Sequence, residues 1–277
     1  MLDVLVRSTS ADGSGFDVEI AARVAASFRG SLTAVHVVPM GLLPLAPYDP
    51  GMLDAAATLE AERLVEEAEK NAPAFSAWAS SLGVRNAVWM ASAGDATHVM
   101  SRIATWHDLY VTQRSSRDDD WWARPAGVAR IVLSNRLPTL IVPAGTDPAR
   151  LAGTVAVAWN GTPGAARALH GARAFVEHAR DVVVLVGNDR RAAEVWPTVA
   201  LPPWLARHRP NARIRQLGDI GDGGEPTGAA LLSAAREEQA DLLVTGAYGH
   251  TRFSEWILGG VTRHLLEHAP LPMVMRH

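Results

Sequence analysis

The chain repeats short segments at a constant separation of 133 residues. Residues 108–112 and 241–245 share the pattern Asp-Leu-x-Val-Thr, and residues 127–130 and 260–263 share the pattern Gly-Val-x-Arg. Around these segments, β-rich runs alternate with amphipathic helical runs, with five strands in each copy. Strands that are joined through helices pair in parallel, and the helices cover the sheet. The sequence therefore predicts an α/β fold with two tandem, open, doubly wound domains, each built on a five-stranded parallel sheet.

A polar segment that contains Pro and Gly, residues 144–153, separates the two copies. A chain of 277 residues with 48% hydrophobic content can form two domains of ordinary size. We predict these domains at residues 1–144 and 153–277. In the first domain, the pattern also predicts one long helix from about residue 54 to residue 82, bent near Pro73.

The composition argues against several classes of partner. A net charge of −3 gives no basic surface for nucleic acid, and the absence of cysteine excludes disulfides and thiolate zinc sites. No apolar run reaches the roughly 18 residues that span a bilayer, and the first residues resemble a strand rather than a signal peptide. We therefore expect a cytoplasmic protein with no membrane or nucleic-acid partner.

A glycine-containing loop lies between the fourth predicted strand of the second half and the following helix. Its glycines, Gly246, Gly249 and Gly259, have the spacing Gly-x2-Gly-x9-Gly. Glycines at such a turn let backbone N–H groups approach an anion, and the helix N-terminus adds about half a positive charge. The segment is neither a P-loop nor a dinucleotide-binding motif, because no Lys follows the glycines and Gly-x-Gly-x-x-Gly is absent. The spacing predicts a phosphate-binding loop.

This spacing resembles the nucleotide-binding signature of the universal stress protein family, which usually ends in Gly followed by Ser or Thr. Gly260 occupies the position of that hydroxyl residue, although Thr262 could supply a hydroxyl two positions later. The whole chain resembles a tandem member of the family. The resemblance implies Rossmann-like, HUP-type domains whose final strands pair as an internal pseudo-dimer. It also implies a cytoplasmic stress-response protein that binds ATP, ADP or AMP, with or without Mg²⁺.

The resemblance also assigns residues to the nucleotide site of the second half. Asn160 follows the first strand, where family members commonly have an Asp that holds the ribose hydroxyls, and Val186 ends the second strand, near the expected adenine edge. No catalytic or metal-binding residue is predicted. The predicted nucleotide-binding residues are Ala158, Asn160, Val186, Thr245, Gly246, Tyr248, Gly249, His250, Gly259, Gly260, Val261 and Thr262.

The first half lacks the glycines of this loop. At the repeat separation of 133 residues, Gln113, Ser116 and Ala126 replace the three glycines, and three consecutive Asp residues occupy positions 118–120. Side chains at these positions would obstruct a phosphate, and the carboxylates would repel it. We predict that the first half is a diverged domain that binds no nucleotide.

Two alternative functions stay open at the level of sequence. The first is a scaffold of the same fold that has lost nucleotide affinity and acts through protein contacts. The second is a weak ATPase or a nucleotidyl-transferring enzyme, although the sequence shows no general base near the loop and we do not expect an enzyme beyond slow hydrolysis. In either case a protein partner of unknown identity and a homodimer of the tandem chain are compatible with the sequence.

Overall fold

The computed structural model describes residues 1–39, 50–115, 121–187, 201–218, 220, 224–247 and 259–277, and the side chains of residues 50–54 are not described. The chain divides into two compact units, Met1–Val111 and Thr112–His277. In the described part of the chain, no helix is both long enough and apolar enough to span a membrane.

The first unit is a parallel sheet with the strand order β3-β2-β1-β4. Its helices alternate with its strands, as the hydrophobic periodicity predicts. The strands are β1 (Asp3–Ser8), β2 (Ser31–Val38), β3 (Asn86–Ala93) and β4 (Leu109–Arg114), the last of which continues beyond Val111, and the helices are α1 (Phe16–Ser27), α2 (Pro50–Glu69), α3 (Ala72–Ser81) and α4 (Ala96–Ala104).

The second unit contains the other six described strands, in the order β8-β7-β6-β9-β10-β5. The order of β6 to β9 reproduces that of β1 to β4, so both halves share one topology. The strands are β5 (Thr139–Pro143), β6 (Thr154–Trp159), β7 (Asp181–Val186), β8 (Arg213–Gln216), β9 (Leu242–Gly246) and β10 (Met273–Arg276). The helices are α5 (Pro125–Asn135), α6 (Pro163–Gly171), α7 (Arg173–His178), α8 (Leu201–His208), α9 (Gly224–Glu237) and α10 (Gly260–His268), with 3-10 helices at Trp121–Ala123 and Pro148–Ala152.

The final strands of the two halves pair with each other. β10 and β5 are antiparallel, with Val274 opposite Leu140 and Met273 opposite Ile141, and all four side chains are fully buried. This confirms the predicted internal pairing and the predicted fold class. Because of this pairing, residues 112–143 belong to the same compact unit as the second half. The domain boundary at residues 144–153 stays a prediction, because it is placed by the sequence repeat.

The long helix predicted for residues 54–82 is divided in the structure. α2 ends at Glu69 and α3 begins at Ala72, so Pro73 lies in the first turn of a new helix, where its missing N–H leaves no intrahelical bond unmade. The single bent helix predicted for this region is therefore wrong. Similarly, Ala172 separates α6 from α7.

An ion-pair network lies over β8, the strand at one edge of the sheet, next to β7. Arg213 contacts Asp181 at 2.8 Å and Glu238 at 2.9 Å, and Arg215 contacts Glu238 at 3.0 Å and also pairs with Glu237. Charged side chains on an edge strand discourage pairing with another sheet. The network therefore protects this edge and ties β8 to β7 and α9.

We expect the stability of this edge to fall in acid. The hydrogen bond from Arg213 is the largest cause that lowers the pKa of Glu238 from its ordinary 4.5, and Arg213 likewise lowers the pKa of Asp181. A carboxylate with a lowered pKa contributes stability above its ordinary pKa, and that contribution is lost as the pH falls through the lowered value. The free energy of unfolding in urea, measured near pH 7 and near pH 3, should therefore differ less in Glu238→Gln than in the wild type. The exposed Glu66→Gln is the control, and an unchanged pH dependence in Glu238→Gln would contradict the role of the network.

Candidate functional site

Asn160 closes the turn between β6 and α6. Its Oδ1 accepts hydrogen bonds from the Thr162 backbone N at 3.3 Å and from Thr162 Oγ1 at 2.7 Å. Thr162 in turn caps α6, because its Oγ1 accepts from the Ala165 backbone N at 3.3 Å. The side-chain oxygen of Asn160 thus accepts hydrogen bonds within the turn, and its Nδ2 makes no hydrogen bond to a described residue. This half-buried side chain can offer a ligand two N–H donors, where an Asp would offer acceptors.

Gly246 ends β9 directly against the first turn of α6. A Cβ at this position would lie 2.9 Å from the Gly164 carbonyl carbon and 3.1 Å from the Ala165 backbone N. These contacts are with backbone atoms, which cannot rotate away. Glycine at residue 246 is therefore required for the close approach of β9 and α6. The packing of the protein explains this glycine without any ligand.

The N-terminus of α10 presents backbone donors that the helix does not use. Gly259 is the N-cap, and the first intrahelical bond runs from the Arg263 N to the Gly259 O at 2.9 Å. The N–H groups of Gly260 and Val261 therefore have no acceptor within the helix. The N-cap Gly259 has no side chain that could cap this end, and Gly260 is exposed. Such an end favours an anion.

Gly259 and Gly260 differ in the space that the surrounding protein leaves for a side chain. A Cβ at residue 259 would meet no described atom within 4 Å, and the backbone there, with φ −55° and ψ 137°, suits any residue. A Cβ at residue 260 would lie 2.6 Å from the Gly224 Cα, at the start of α9. The space in which the family usually places a hydroxyl side chain is thus filled by the backbone of α9. Thr262 is only 5% exposed and is engaged within the protein.

The other described members of the predicted site lie at the carboxyl ends of neighbouring strands. Trp159 of β6 is opposite Val186 of β7, and Ala158 is 9% exposed. The Val186 carbonyl accepts a hydrogen bond from the Leu217 N at 3.0 Å. Thr245 of β9 is buried and its Oγ1 donates to the Gly246 carbonyl at 3.2 Å. Ligands of doubly wound sheets bind at this edge.

Three predicted site residues, Tyr248, Gly249 and His250, lie outside the described residues, as does the rest of the loop to residue 258. In the part of the chain that is described, no three His, Asp or Glu side chains cluster in a way that could hold a metal ion. Gly164 and Gly224 are further residues that shape the site, and no motif in the sequence marks them. The only available signal for them is a glycine at the start of a predicted helix.

The corresponding region of the first half is covered by its own chain. A Cβ at Gly127, the counterpart of Gly260, would lie 2.3 Å from the Trp121 carbonyl oxygen. The 3-10 helix Trp121–Ala123 therefore rests on the start of α5. The Arg130 guanidinium lies over both indole rings of this segment, 6.0 Å and 5.9 Å from their centroids. Residues 116–120 lie outside the described residues.

Comparison with known proteins identifies the second half of the chain. Residues 152–277 match the model of the universal stress protein family. These residues form a universal stress protein domain. The resemblance drawn from the glycine loop is thereby confirmed over this region. No curated protein is significantly similar to the sequence.

The fold of universal stress proteins extends over the whole chain. A universal stress protein from Archaeoglobus fulgidus DSM 4304 is 15% identical, with a TM-score of 0.71 over 99% of this chain and 97% of its own. A functionally unknown protein from Pseudomonas aeruginosa PAO1 is 14% identical, with a TM-score of 0.57 over 99% of this chain and 92% of its own. At these identities the likeness shows the fold. A universal stress protein in complex with cAMP covers 52% of this chain and 98% of its own at 18% identity, but its TM-score of 0.33 supports no inference.

Proposed function

We propose that this protein binds ATP, or the related nucleotides ADP and AMP, through the universal stress protein domain in its second half. The observation that carries the proposal is the start of α10. Two successive N–H groups, of Gly260 and Val261, lack helical acceptors there. Gly259 precedes them, although no described neighbour and no backbone angle requires glycine at that position. A bound phosphate would explain the glycine, because a side chain at residue 259 would prevent its close contact with the backbone.

The other predicted residues complete the nucleotide site in this proposal. The phosphates bind at Gly259 to Thr262, and the Nδ2 of Asn160 donates to a ribose hydroxyl oxygen. Ala158, Val186 and Thr245 line the base and ribose at the ends of β6, β7 and β9. We propose that Gly246, Tyr248, Gly249 and His250 also contribute to nucleotide binding. Any Mg²⁺ enters with the nucleotide phosphates, because the described residues offer no cluster of ligands of their own.

We assign a single nucleotide to each chain. The start of α5 is covered by the 3-10 helix Trp121–Ala123, and this supports the prediction that the first half binds none. Gln113 also replaces the glycine that ends β9 in the second half. The two halves thus share a topology and differ in the surface that each offers to an anion.

The biological role in this proposal is a nucleotide-linked switch in the response to stress. A ligand shifts a conformational equilibrium only when it binds one state more tightly than the other. Phosphate binding at α10 would change the surface offered to a protein partner. Cytoplasmic location, a homodimer and a protein partner of unknown identity stay predictions from the sequence.

Titration with ATP tests this proposal. At a hundredfold excess over its dissociation constant, a ligand that binds only the folded state adds about 2.7 kcal/mol of stability. We expect thermal unfolding to shift upward with ATP, and ADP and AMP in the same assay rank the nucleotides. GTP serves as the control for base recognition. A flat response to every adenine nucleotide would favour the scaffold alternative. Release of phosphate from ATP would favour the ATPase alternative, and release of pyrophosphate would favour the nucleotidyl-transferring enzyme.

A further inference from the structure

Arg114, the last residue of β4, contacts the carboxyl-terminal end of α10. Its Nη1 donates to the carbonyl oxygens of Leu266 at 2.9 Å and Glu267 at 3.1 Å, and its Nη2 donates to that of Ala269. The last carbonyl groups of a helix have no partners within the helix. One guanidinium therefore satisfies three acceptors at the end of this nine-residue helix.

The Arg114 guanidinium that makes these contacts is partly buried. Burial lowers the pKa of Arg114, and its Nε atom is buried without a partner in the described structure. The positive charge faces the negative end of the α10 dipole, which compensates for the lost hydration. The planar fork of donors suits several carbonyl oxygens at once, which a lysine ammonium cannot match with the same geometry.

The second half provides no equivalent arginine at the position that corresponds to Arg114. At the repeat separation of 133 residues, Arg114 corresponds to Ala247, whose side chain has no donor. The half that lacks the glycine loop thus provides an arginine to the helix that follows the intact loop. The neighbouring carbonyl groups of α10 have local partners, because the His268 ring contacts the His264 oxygen at 3.0 Å and the Ala269 N donates to the Leu265 oxygen at 2.9 Å.

We propose that Arg114 is a positioning residue for nucleotide binding, which holds α10 at its carboxyl end so that the N–H groups at its other end are aligned for the phosphates. This inference rests on the proposed nucleotide site. A helix of nine residues is about 13.5 Å long and moves as a rigid unit. A shift at one end is therefore transmitted to the other, and alignment of donors before the ligand arrives increases affinity.

The test uses the full-length chain and measures ATP affinity by calorimetry. We expect Arg114→Met, which keeps the apolar stem, to raise the dissociation constant for ATP about tenfold. Arg114→Lys should fall between Met and the wild type. In Arg114→Ala, guanidinium chloride at non-denaturing concentrations should restore part of the affinity, because the free ion can occupy the vacated position. Without ATP, hydrogen exchange of residues 259–263 should accelerate in the Met variant.

The control is Arg209→Met, which removes another arginine that donates to a backbone carbonyl, that of Arg180, at 2.6 Å. It should leave ATP affinity unchanged. If Arg114→Met lowers stability but its folded form binds ATP as the wild type does, the positioning role is wrong and the proposed function stands. If the wild type itself does not bind ATP, the proposed function fails, and the positioning role fails with it.

Discussion

Gly259→Val is expected to raise the dissociation constant for ATP at least about a hundredfold, a loss of about 2.7 kcal/mol of binding free energy. The valine methyl groups would occupy the space next to the N–H groups of Gly260 and Val261, where the account places a phosphate. The fold itself should tolerate the change, since no described atom lies within 4 Å of the new Cβ and the backbone angles are allowed. Valine caps a helix less well than glycine, so we expect a stability loss of about 1 kcal/mol or less.

Calorimetric titration of the folded variant with ATP measures this effect, and urea unfolding measures the stability. The matched control is Ala126→Val, because Ala126 is the counterpart of Gly259 in the first half and is exposed on α5. It should leave the affinity unchanged. Gly127 is unsuitable as a control, because its Cβ would strike the Trp121 carbonyl oxygen. Wild-type affinity in Gly259→Val would show that the phosphates do not contact this end of α10.

Gly260→Ser introduces the hydroxyl residue that the family usually has, yet we expect it to destabilise the protein by about 1–3 kcal/mol. The new Cβ would lie 2.6 Å from the Gly224 Cα. Backbone atoms cannot rotate away, so the starts of α9 and α10 must separate. Because that movement also displaces the N–H groups at the start of α10, ATP affinity should not increase.

Urea unfolding and ATP titration of Gly260→Ser test this expectation together. Gly259→Ser is the control: the same side chain is placed one residue earlier, in open space, at the N-cap position that serine favours. It should be at least as stable as the wild type. If Gly260→Ser were fully stable and bound ATP more tightly, the close contact between α9 and α10 would not be a constraint on this site.

Features that depend on local pattern could be predicted from the sequence. The strands are short runs of apolar, β-branched residues between turns, so β6 and β9 fall where the pattern places them. The pairing of β5 with β10 is implied by the family resemblance, and the apolar character of both final strands supports it. The Asn160 turn follows from Asn and Gly after a buried strand, a combination typical of turns.

Features that depend on distant contacts could not be predicted in this way. Gly246 and Gly260 are needed because other backbone segments, at Gly164 and Gly224, lie against them, and those neighbours are remote in sequence. The contact of Arg114 with α10 joins residues separated by more than 150 positions. By contrast, the division of the predicted helix after Glu69 has a local signal, because Asn71 and Pro73 occupy the N-cap and the first turn of α3, where Asn and Pro are favoured.

The number of ATP molecules bound per chain tests the central claim most directly. Equilibrium dialysis of the wild-type protein against labelled ATP should give one site per chain, and Gly259→Val should give none under the same conditions. That result would place the nucleotide in the second half alone. Two sites per chain, or a single site that survives in Gly259→Val, would contradict the account.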